Sequence, residues 1–347
     1  MNGAQKGALY GLSAAALFGL SAPIAKRLLG EMSPQILAGL LYLGAGIALS
    51  AWKLARPKTD EARLGRRDAL PLAGVLIAGD VLDPLLMLLG LERMSAVAGS
   101  MLLNLEGPFT IAIAVLVMKE HLGKHGIASV ALILAGAAVL KVGPGDIELD
   151  GWGVIAIALA CLAWGIDNNL TQRLSLKDPL AVVRIKTLGA GSVNLALGMV
   201  FGGQLPGPAV IAVAMAVGAL SYGLSVLLDT YALRLVGAAR EAAYFATAPF
   251  VGALSATLIV GESLRAVDLA AMVVMAAGVA ALLRERHGHS HQHDALEHEH
   301  LHTHDAHHRH EHGPEAPPGE PHAHAHRHAP MVHDHPHVPD AHHRHRH

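Results

Sequence analysis

The chain has 347 residues, a formal net charge of −2 and an apolar fraction of 52%, while aromatic residues make up only 4%. A soluble chain of this length forms about two domains. Here residues 1–286 run without charge over long stretches and are rich in Gly and Ala, which allow membrane helices to pack closely. These features exclude a soluble two-domain protein and predict an integral membrane protein.

Ten apolar segments follow one another along the chain. A bilayer core about 30 Å thick needs roughly 20 apolar residues of helix, and unpaired backbone groups are not tolerated in lipid. The segments do not alternate apolar and polar residues, which excludes a β-barrel. The first lacks a basic start and a cleavage site, so we expect it to be retained. We name them spans 1 to 10, and they cover residues 7–25, 36–52, 69–91, 94–118, 126–140, 151–170, 180–201, 209–233, 236–260 and 267–283.

Spans 6 to 10 repeat spans 1 to 5 in the same order. The Gly-Pro-Phe of residues 107–109 aligns with the Ala-Pro-Phe of residues 248–250, and a glutamate follows at the helix end in each copy, Glu120 and Glu262. Because five is an odd number, the second copy must enter the membrane upside down relative to the first. Inverted repeats of this kind are typical of secondary transporters.

With this repeat, the Pro-Phe…Glu stretches and the Gly-rich fifth and tenth spans, the sequence resembles the EamA-type permeases of the drug/metabolite transporter (DMT) superfamily. The resemblance implies an all-α integral membrane protein with ten transmembrane helices, arranged as two inverted five-helix repeats around a central site for small metabolites. We expect the first EamA-type repeat at residues 1–142, the second at residues 150–286, and a disordered His-rich tail at residues 287–347.

Basic residues predict the orientation in the membrane, since loops rich in Lys and Arg stay cytoplasmic. The loop after span 2 is the richest, and its basic residues are Lys53, Arg56, Lys58, Arg63, Arg66 and Arg67. We therefore expect a multi-pass protein of the plasma or inner membrane with both termini in the cytoplasm. Lys26 and Arg27, after span 1, are on the side that this rule leaves poor in basic residues.

Three acidic residues lie in the middle of spans, where an ionised side chain costs at least about 2.5–3.5 kcal/mol. Asp80 and Asp83 share one face of a regular helix in span 3, and Glu106 precedes the Gly-Pro break in span 4. We hypothesise a substrate and proton pathway in which at least one acid exchanges protons. Its candidate residues are Asp80, Asp83, Asn104, Glu106, Asp167 and Asn168. Alternatively, these acids cap broken helices and take no part in turnover.

A second group of charged residues lies closer to the expected cytoplasmic ends of spans 6 to 9. We interpret these residues as candidates for a cytoplasmic gate, with Asp229 and Arg240 as its ion pair. The alternative is that the long basic side chains reach the headgroups and serve no gate. Trp152 and Trp164 are interpreted as interfacial or packing residues. The gate candidates are Arg184, Lys186, Asp229, Arg240 and Glu241.

The chain changes character at residue 287. Of its 25 histidines, all but His121 and His125 lie in residues 287–347, where large apolar residues are scarce. Such a segment cannot bury enough surface to fold alone, so we expect disorder. Imidazole binds Zn²⁺, Ni²⁺, Co²⁺ and Cu²⁺, although no fixed four-ligand set is readable. The candidate metal ligands are His287, His289, His291, His293, His322, His324, His326, His328, His342, His343, His345 and His347.

Taken together, these features favour a secondary active transporter, a proton-coupled exporter or exchanger of a small metabolite or drug-like solute that works by alternating access. One alternative is a transition-metal cation permease that the His-rich tail feeds or regulates. It is weakened because the membrane-spanning part offers only two histidines, His121 and His125, both in a loop. A third reading is a membrane-anchored metal-buffering or sensor protein, in which the mid-membrane acids would have no role.

We find no Gly-rich phosphate loop and no Ser-His-Asp or zinc-hydrolase pattern, so we predict no enzymatic activity and no required cofactor. The expected partners are the lipid bilayer, a small-molecule solute and transition-metal ions at the tail. The basic residues only flank the spans, which argues against nucleic-acid binding. Association into a homodimer is compatible with the sequence.

Overall fold

The computed structural model describes residues 3–55, 61–117, 123–142, 150–175, 177–236, 238–284, 287–293, 296–302, 322–328 and 331–337. In this part of the chain, 8 helical stretches are long and apolar enough to cross a membrane. Lys124–Leu140 and Ala266–Ala281 are shorter apolar helices. They coincide with spans 5 and 10, which the sequence predicts to be the shortest of each half. The helical membrane fold is thus confirmed.

In the first half, several spans are built from consecutive helical pieces. Span 1 comprises Gly3–Gly19 and Ser21–Leu28, span 2 is Pro34–Ala55, and span 5 is Lys124–Val142. Span 3 begins with a short 3₁₀ turn, Arg66–Asp68, and continues through Ala69–Val75, a π-helical stretch Leu76–Leu82, and Asp83–Glu92. Span 4 consists of Ala96–Leu102, a 3₁₀ turn Leu103–Leu105, and Glu106–Leu116.

The second half follows the same plan. Span 6 is Gly151–Leu174, span 7 is Pro179–Val200, and span 10 is Ala266–Leu283. Span 8 comprises Pro208–Val217, a π-helical stretch Gly218–Leu224, and Ser225–Val236, while span 9 comprises Ala238–Phe245 and Ala248–Ile259.

Local sequence explains where these helices begin and break. Ser95 and Asp178 accept hydrogen bonds from the amides of Ala98 and Ala181, so each caps the helix that follows it. The π-helical stretch of span 3 ends where Pro84 enters the first turn of the next helix, a position that proline tolerates because its missing amide needs no partner there. Wider π turns of this kind are rare and often mark functional sites.

Packing between the halves repeats as the sequence does. Span 2 packs against span 7, span 5 against span 10, and span 4 against span 9. Span 1 packs against span 8, and span 3 against span 6. Exchanging each span with its copy converts the contact of spans 1 and 8 into that of spans 6 and 3. The interface between the halves is therefore approximately two-fold symmetric.

Polar contacts sort the span ends onto two sides of the molecule. On one side, which we call the Arg234 end, Arg234 binds Glu61 at 2.9 Å and Lys53 binds Asp178 at 3.1 Å. On the other, the Glu262 end, Glu262 accepts hydrogen bonds from the backbone of span 4. Spans 2 and 8 finish at the Arg234 end, where spans 3 and 7 begin, as alternating crossings require.

The two halves run in opposite directions between these ends. Gly7, at the start of span 1, lies against Val236 beside the Arg234 end. Asp150, at the start of span 6, pairs instead with Arg93, which follows the last residue of span 3 at the Glu262 end. Equivalent spans thus start on opposite sides, which confirms the inverted repeat.

Lys26 and Arg27 have a structural role at the Glu262 end. Lys26 donates to the carbonyl oxygens of Leu91 and Glu92 at 2.6 and 3.2 Å, and Arg27 donates to that of Ile259 at 3.0 Å. These carbonyls end spans 3 and 9, where cations stabilise free acceptors. Helix capping accounts for these two basic residues in the last turn of span 1, on the side that the orientation rule leaves poor in them.

The described parts of the tail form short paired strands. Four strands lie in its described parts, with His287–His293 paired antiparallel to Met331–His337 and Leu296–His302 paired antiparallel to His322–His328. The His-x-His alternation has the period of two that a strand requires. The side chains of these strands, and all of residues 338–347, lie outside the described part, so the metal-ligand predictions there stay predictions.

Candidate functional site

A buried lysine joins two of the acids in the centre of the molecule. Lys186 Nζ lies 3.1 Å from Asp167 Oδ2 and 3.4 Å from Asp80 Oδ1, and all three side chains are buried. Thr171 donates a hydrogen bond of 2.8 Å to the other oxygen of Asp167. Spans 3, 6 and 7 are therefore linked through one ion-paired group, which we call the Lys186 triad (Asp80, Asp167 and Lys186).

The π-helical stretch of span 3 positions this triad. Gly79 has no side chain, and a Cβ atom there would overlap the carboxyl group of Asp167. The Asn194 amide of span 7 donates to the Asp80 carbonyl at 3.0 Å, and the Tyr42 hydroxyl of span 2 donates to the Gly79 carbonyl at 3.2 Å. Side chains from two other spans thus satisfy backbone carbonyls of the distorted turn, which would otherwise be costly in an apolar interior.

Glu106 lies next to the triad and is held by span 6. Its Oε1 atom accepts a hydrogen bond of 2.6 Å from the Asn168 amide. Asn168 directly follows Asp167, so two adjacent residues of span 6 contact different partners: Asp167 binds Lys186, and Asn168 binds Glu106. Glu106 itself begins an α-helix immediately after the 3₁₀ turn Leu103–Leu105, so the hydrogen-bond pattern of the span 4 backbone changes at this residue.

The acids form one connected group, in which each carboxyl group is within electrostatic range of at least one other. Asp83 lies near Glu106, Asp167 and Asp80, and Asp229 lies near Glu241. One oxygen each of Asp80, Asp83 and Glu241 is buried without a hydrogen-bond partner among the described residues. We call this group the acidic cluster, and its members are Asp80, Asp83, Glu106, Asp167, Asp229 and Glu241.

A cavity opens beside Glu106. Aromatic rings form one wall, with Phe18 centred 4.8 Å from Trp164 and 5.4 Å from Phe245. Trp164 and Phe245 meet nearly edge to face at 5.5 Å. Asn104 also lines this cavity. Spans 1, 4, 6 and 9 thus all contribute to it, which places the cavity between the two halves.

The residues predicted to form a cytoplasmic gate lie in different surroundings. Lys186 lies about two helical turns inside span 7 and forms the triad, so its role in a gate stays a prediction. Arg184 is half-buried, and its Nε atom has no partner among the described residues. Asp229 faces Glu241, while the side chain of Arg240 lies outside the described part, so the predicted pair of Asp229 with Arg240 stays a prediction.

Several site residues escape sequence reasoning. Phe18 and Phe245 resemble any apolar residue of a membrane helix, and Trp164 was predicted to be interfacial or packing, whereas it lines the cavity. Asn194 and Thr171 carry a detectable signal, since each is a polar residue in an apolar span. Among the residues that the structure describes, no group of three or more His, Cys, Asp or Glu side chains could hold a metal ion.

Comparison with known proteins adds the family. The EamA-like transporter family matches residues 5–142 and matches again at residues 151–284. The chain belongs to the EamA-like transporter family. The resemblance predicted from the Pro-Phe…Glu repeat is thereby confirmed, and the chain is a multi-span membrane transporter.

Relatives of this EamA-like chain carry similarly general descriptions. It is 29% identical over 289 residues to an uncharacterized transporter of Methanothermobacter thermautotrophicus, covering 78% of this chain and 84% of the relative. It is 26% identical over 259 residues to the uncharacterized inner membrane transporter YedA of Escherichia coli K12, covering 71% and 80%. A crystal structure resembles it with a TM-score of 0.64 and 18% identity, over 80% of this chain and 98% of that one, which supports the fold alone.

Proposed function

We propose that the protein is a proton-coupled secondary transporter that exports or exchanges a small solute by alternating access. The observation that carries this proposal is the acidic cluster, in which four of the six carboxyl groups are buried and Lys186 forms ion pairs with two of them. Glu106 is a member of the cluster and also lines the cavity, so the cluster and the cavity adjoin each other. Coupling needs a group that can lose or gain charge where the solute binds, and Glu106 meets that requirement.

Charge balance within the cluster supports coupling. Lys186 can neutralise one of its two neighbouring carboxylates, Asp80 and Asp167, while Asp83 and Glu106 lie close by without an ion-pair partner among the described residues. Unpaired charges in a low-dielectric interior are costly. We infer that bound protons or a cationic solute neutralise the remaining carboxylates, and that their exchange accompanies transport.

The inverted halves supply a route for alternating access. Two halves of opposite direction can exchange conformations, so that a central cavity opens first to one side of the membrane and then to the other. The cavity lies between spans 1, 4, 6 and 9 and therefore between the halves. From the distribution of basic residues, we propose that the Arg234 end is cytoplasmic, together with both termini.

The test uses purified full-length protein in proteoliposomes that are preloaded with a small-molecule extract of cells. After an outward or inward pH gradient is imposed, mass spectrometry identifies solutes that leave the vesicles. We expect a gradient-dependent loss of at least one solute with the wild type and with Glu31→Gln, an exposed control. Glu106→Gln should abolish the gradient dependence. Equal flux with and without the gradient, or unchanged behaviour of Glu106→Gln at every pH, would contradict proton coupling.

A further inference from the structure

We propose that the cavity beside Glu106 binds an organic monocation, an amine with an apolar or aromatic body. The inference deepens the proposed function, since it names the class of solute for the same cavity. It rests on the side chains that line the cavity: aromatic rings, and oxygen acceptors with no cationic side chain among the described lining residues.

The aromatic wall favours an apolar body that carries positive charge. The rings of Phe18, Trp164 and Phe245 lie within 4.8 to 5.5 Å of one another, so they form a continuous apolar surface. Burial against such a surface stabilises hydrocarbon groups. The faces of aromatic rings also attract cations, most strongly when water is excluded.

The polar side of the cavity offers acceptors. Asn104 uses its Nδ2 to donate to the Met101 carbonyl at 3.2 Å, which leaves Oδ1 as a buried acceptor with no partner among the described residues. The Ser100 hydroxyl oxygen is also buried without a partner. Glu106 adds a carboxylate that carries negative charge when ionised. An ammonium group has only donors and can satisfy all three.

The cavity suits a zwitterion or an anion less well. No Lys, Arg or His side chain is among the described residues that line it. Lys186, the cation of the triad, is already shared between Asp80 and Asp167. A solute carboxylate in the cavity would therefore face Glu106 with no cation beside it, and like charges in a desolvated site repel strongly.

The experiment measures binding without any gradient, by calorimetry on the detergent-purified full chain. Three probes share a phenylethyl body and differ in charge: 2-phenylethylamine, L-phenylalanine and 3-phenylpropionate. We expect saturable binding of the amine and at least about tenfold weaker binding of the other two, a difference of about 1.4 kcal/mol. Equal or tighter binding of the zwitterion or the anion would overturn the inference.

Variants locate the binding to this cavity. Phe18→Leu and Glu106→Gln should each weaken amine binding about tenfold or more. Phe201→Leu should leave it unchanged, because residue Phe201 is 74% exposed. Ser100→Ala provides an independent variant if Phe18→Leu fails to fold. Equal losses in Phe201→Leu and the cavity variants would place binding elsewhere and overturn the assignment.

Failure of this inference can be distinguished from failure of the proposed function. If the amine binds but no solute flux depends on the pH gradient, the result supports the solute class and contradicts proton coupling. If gradient-dependent flux of other solutes depends on Glu106 while the amine does not bind, coupling stands and the solute class is wrong.

Discussion

The two halves of the molecule share a backbone plan but differ in the side chains at its centre. Both contain a π-helical stretch, Leu76–Leu82 in span 3 and Gly218–Leu224 in span 8. When these stretches are aligned residue by residue, Asp80 falls on Tyr222, and the next acid, Asp83, falls on Ser225. The duplication preserved the distortion, while the charge is present in one copy only.

The second half supplies the groups that complement those acids. Lys186 of span 7 pairs with Asp80, and Asn168 of span 6 donates to Glu106. Neither half contains a complete site: each contributes three of the six acids, and the second alone contributes the cation Lys186 and the hydrogen-bond donor Asn168. We infer that sequence divergence between the copies, rather than the symmetric scaffold, created the chemistry of the centre.

The largest expected effect comes from breaking this complementarity. Lys186→Met should leave Asp80 and Asp167 buried without their cation and lower the free energy of unfolding by about 3–5 kcal/mol. Lys53→Met is the matched control, because Lys53 is 40% exposed in its ion pair with Asp178 and should lose about 1 kcal/mol or less. Unfolding of purified protein in detergent, followed by circular dichroism, measures both.

A compensating variant sharpens the same test. Adding Asp80→Asn and Asp167→Asn to Lys186→Met removes the charges together and should recover much of the lost stability, since neutral polar groups need no ion-pair partner. If Lys186→Met is as stable as the control, or if the triple variant is less stable than Lys186→Met, the triad does not function as a buried charge-compensating unit.

The second prediction concerns how the π-helical stretch of the second half is seated. Gly218 touches the backbone carbonyl of Leu41 in span 2, and a Cβ atom at this position would overlap it. Gly218→Ala should therefore cost about 1–3 kcal/mol in stability, because backbone cannot move aside as a flexible side chain can. Gly207→Ala is the control, since no atom of the described residues lies within 4 Å of a Cβ atom there. Equal stability of the two variants would contradict close seating.

Much of the fold follows from the sequence, because it depends on local and additive properties. Long apolar runs specify the spans, and their odd number per copy specifies the inversion. Prolines show where helices change, since Pro84 and Pro249 each lie in the first turn of a new helical piece.

The site is less predictable because it depends on contacts between distant spans. Asp80 and Glu106 stand out as charges in apolar segments, so their placement at the centre could be anticipated. The pairing of Asp80 with Lys186 could not, since the depth of Lys186 depends on how span 7 crosses span 3. Phe18 and Trp164 gave no signal at all, because an aromatic residue that lines a cavity looks the same in sequence as one that packs.

The third prediction tests a contact that joins the halves. Glu262, after span 9, accepts hydrogen bonds of 2.7 and 2.9 Å from the amides of Ala96 and Val97 at the start of span 4. A carboxylate at a helix N-terminus is stabilising, so Glu262→Gln should lower stability by about 1–2 kcal/mol. Its repeat counterpart, Glu120, lies outside the described residues.

Hydrogen–deuterium exchange measures this contact directly. In Glu262→Gln, the peptide containing Ala96 and Val97 should exchange faster than in the wild type, whereas the exposed-site variant Glu31→Gln should not change it. Unaltered protection of this peptide in Glu262→Gln would mean that the contact does not hold span 4 to span 9.

The smallest expected effect lies in an exposed ion pair at the same end. Arg93 donates to Asp150 at 2.9 Å, and this hydrogen bond holds the pKa of Asp150 below its ordinary value of 3.8. A lowered folded-state pKa means that the pair stabilises the protein above pH 3.8 and that the stabilisation is lost as the pH falls through the folded-state pKa. Asp150→Asn removes the charge but keeps a side chain that can cap the Trp152 amide. Its melting temperature should lie slightly below that of the wild type at neutral pH, and the two should converge in acid. A difference in melting temperature that persists at low pH would assign the effect to the helix cap at Trp152 rather than to the ion pair. The electrostatic contrast between the two halves would then depend on their buried charges alone.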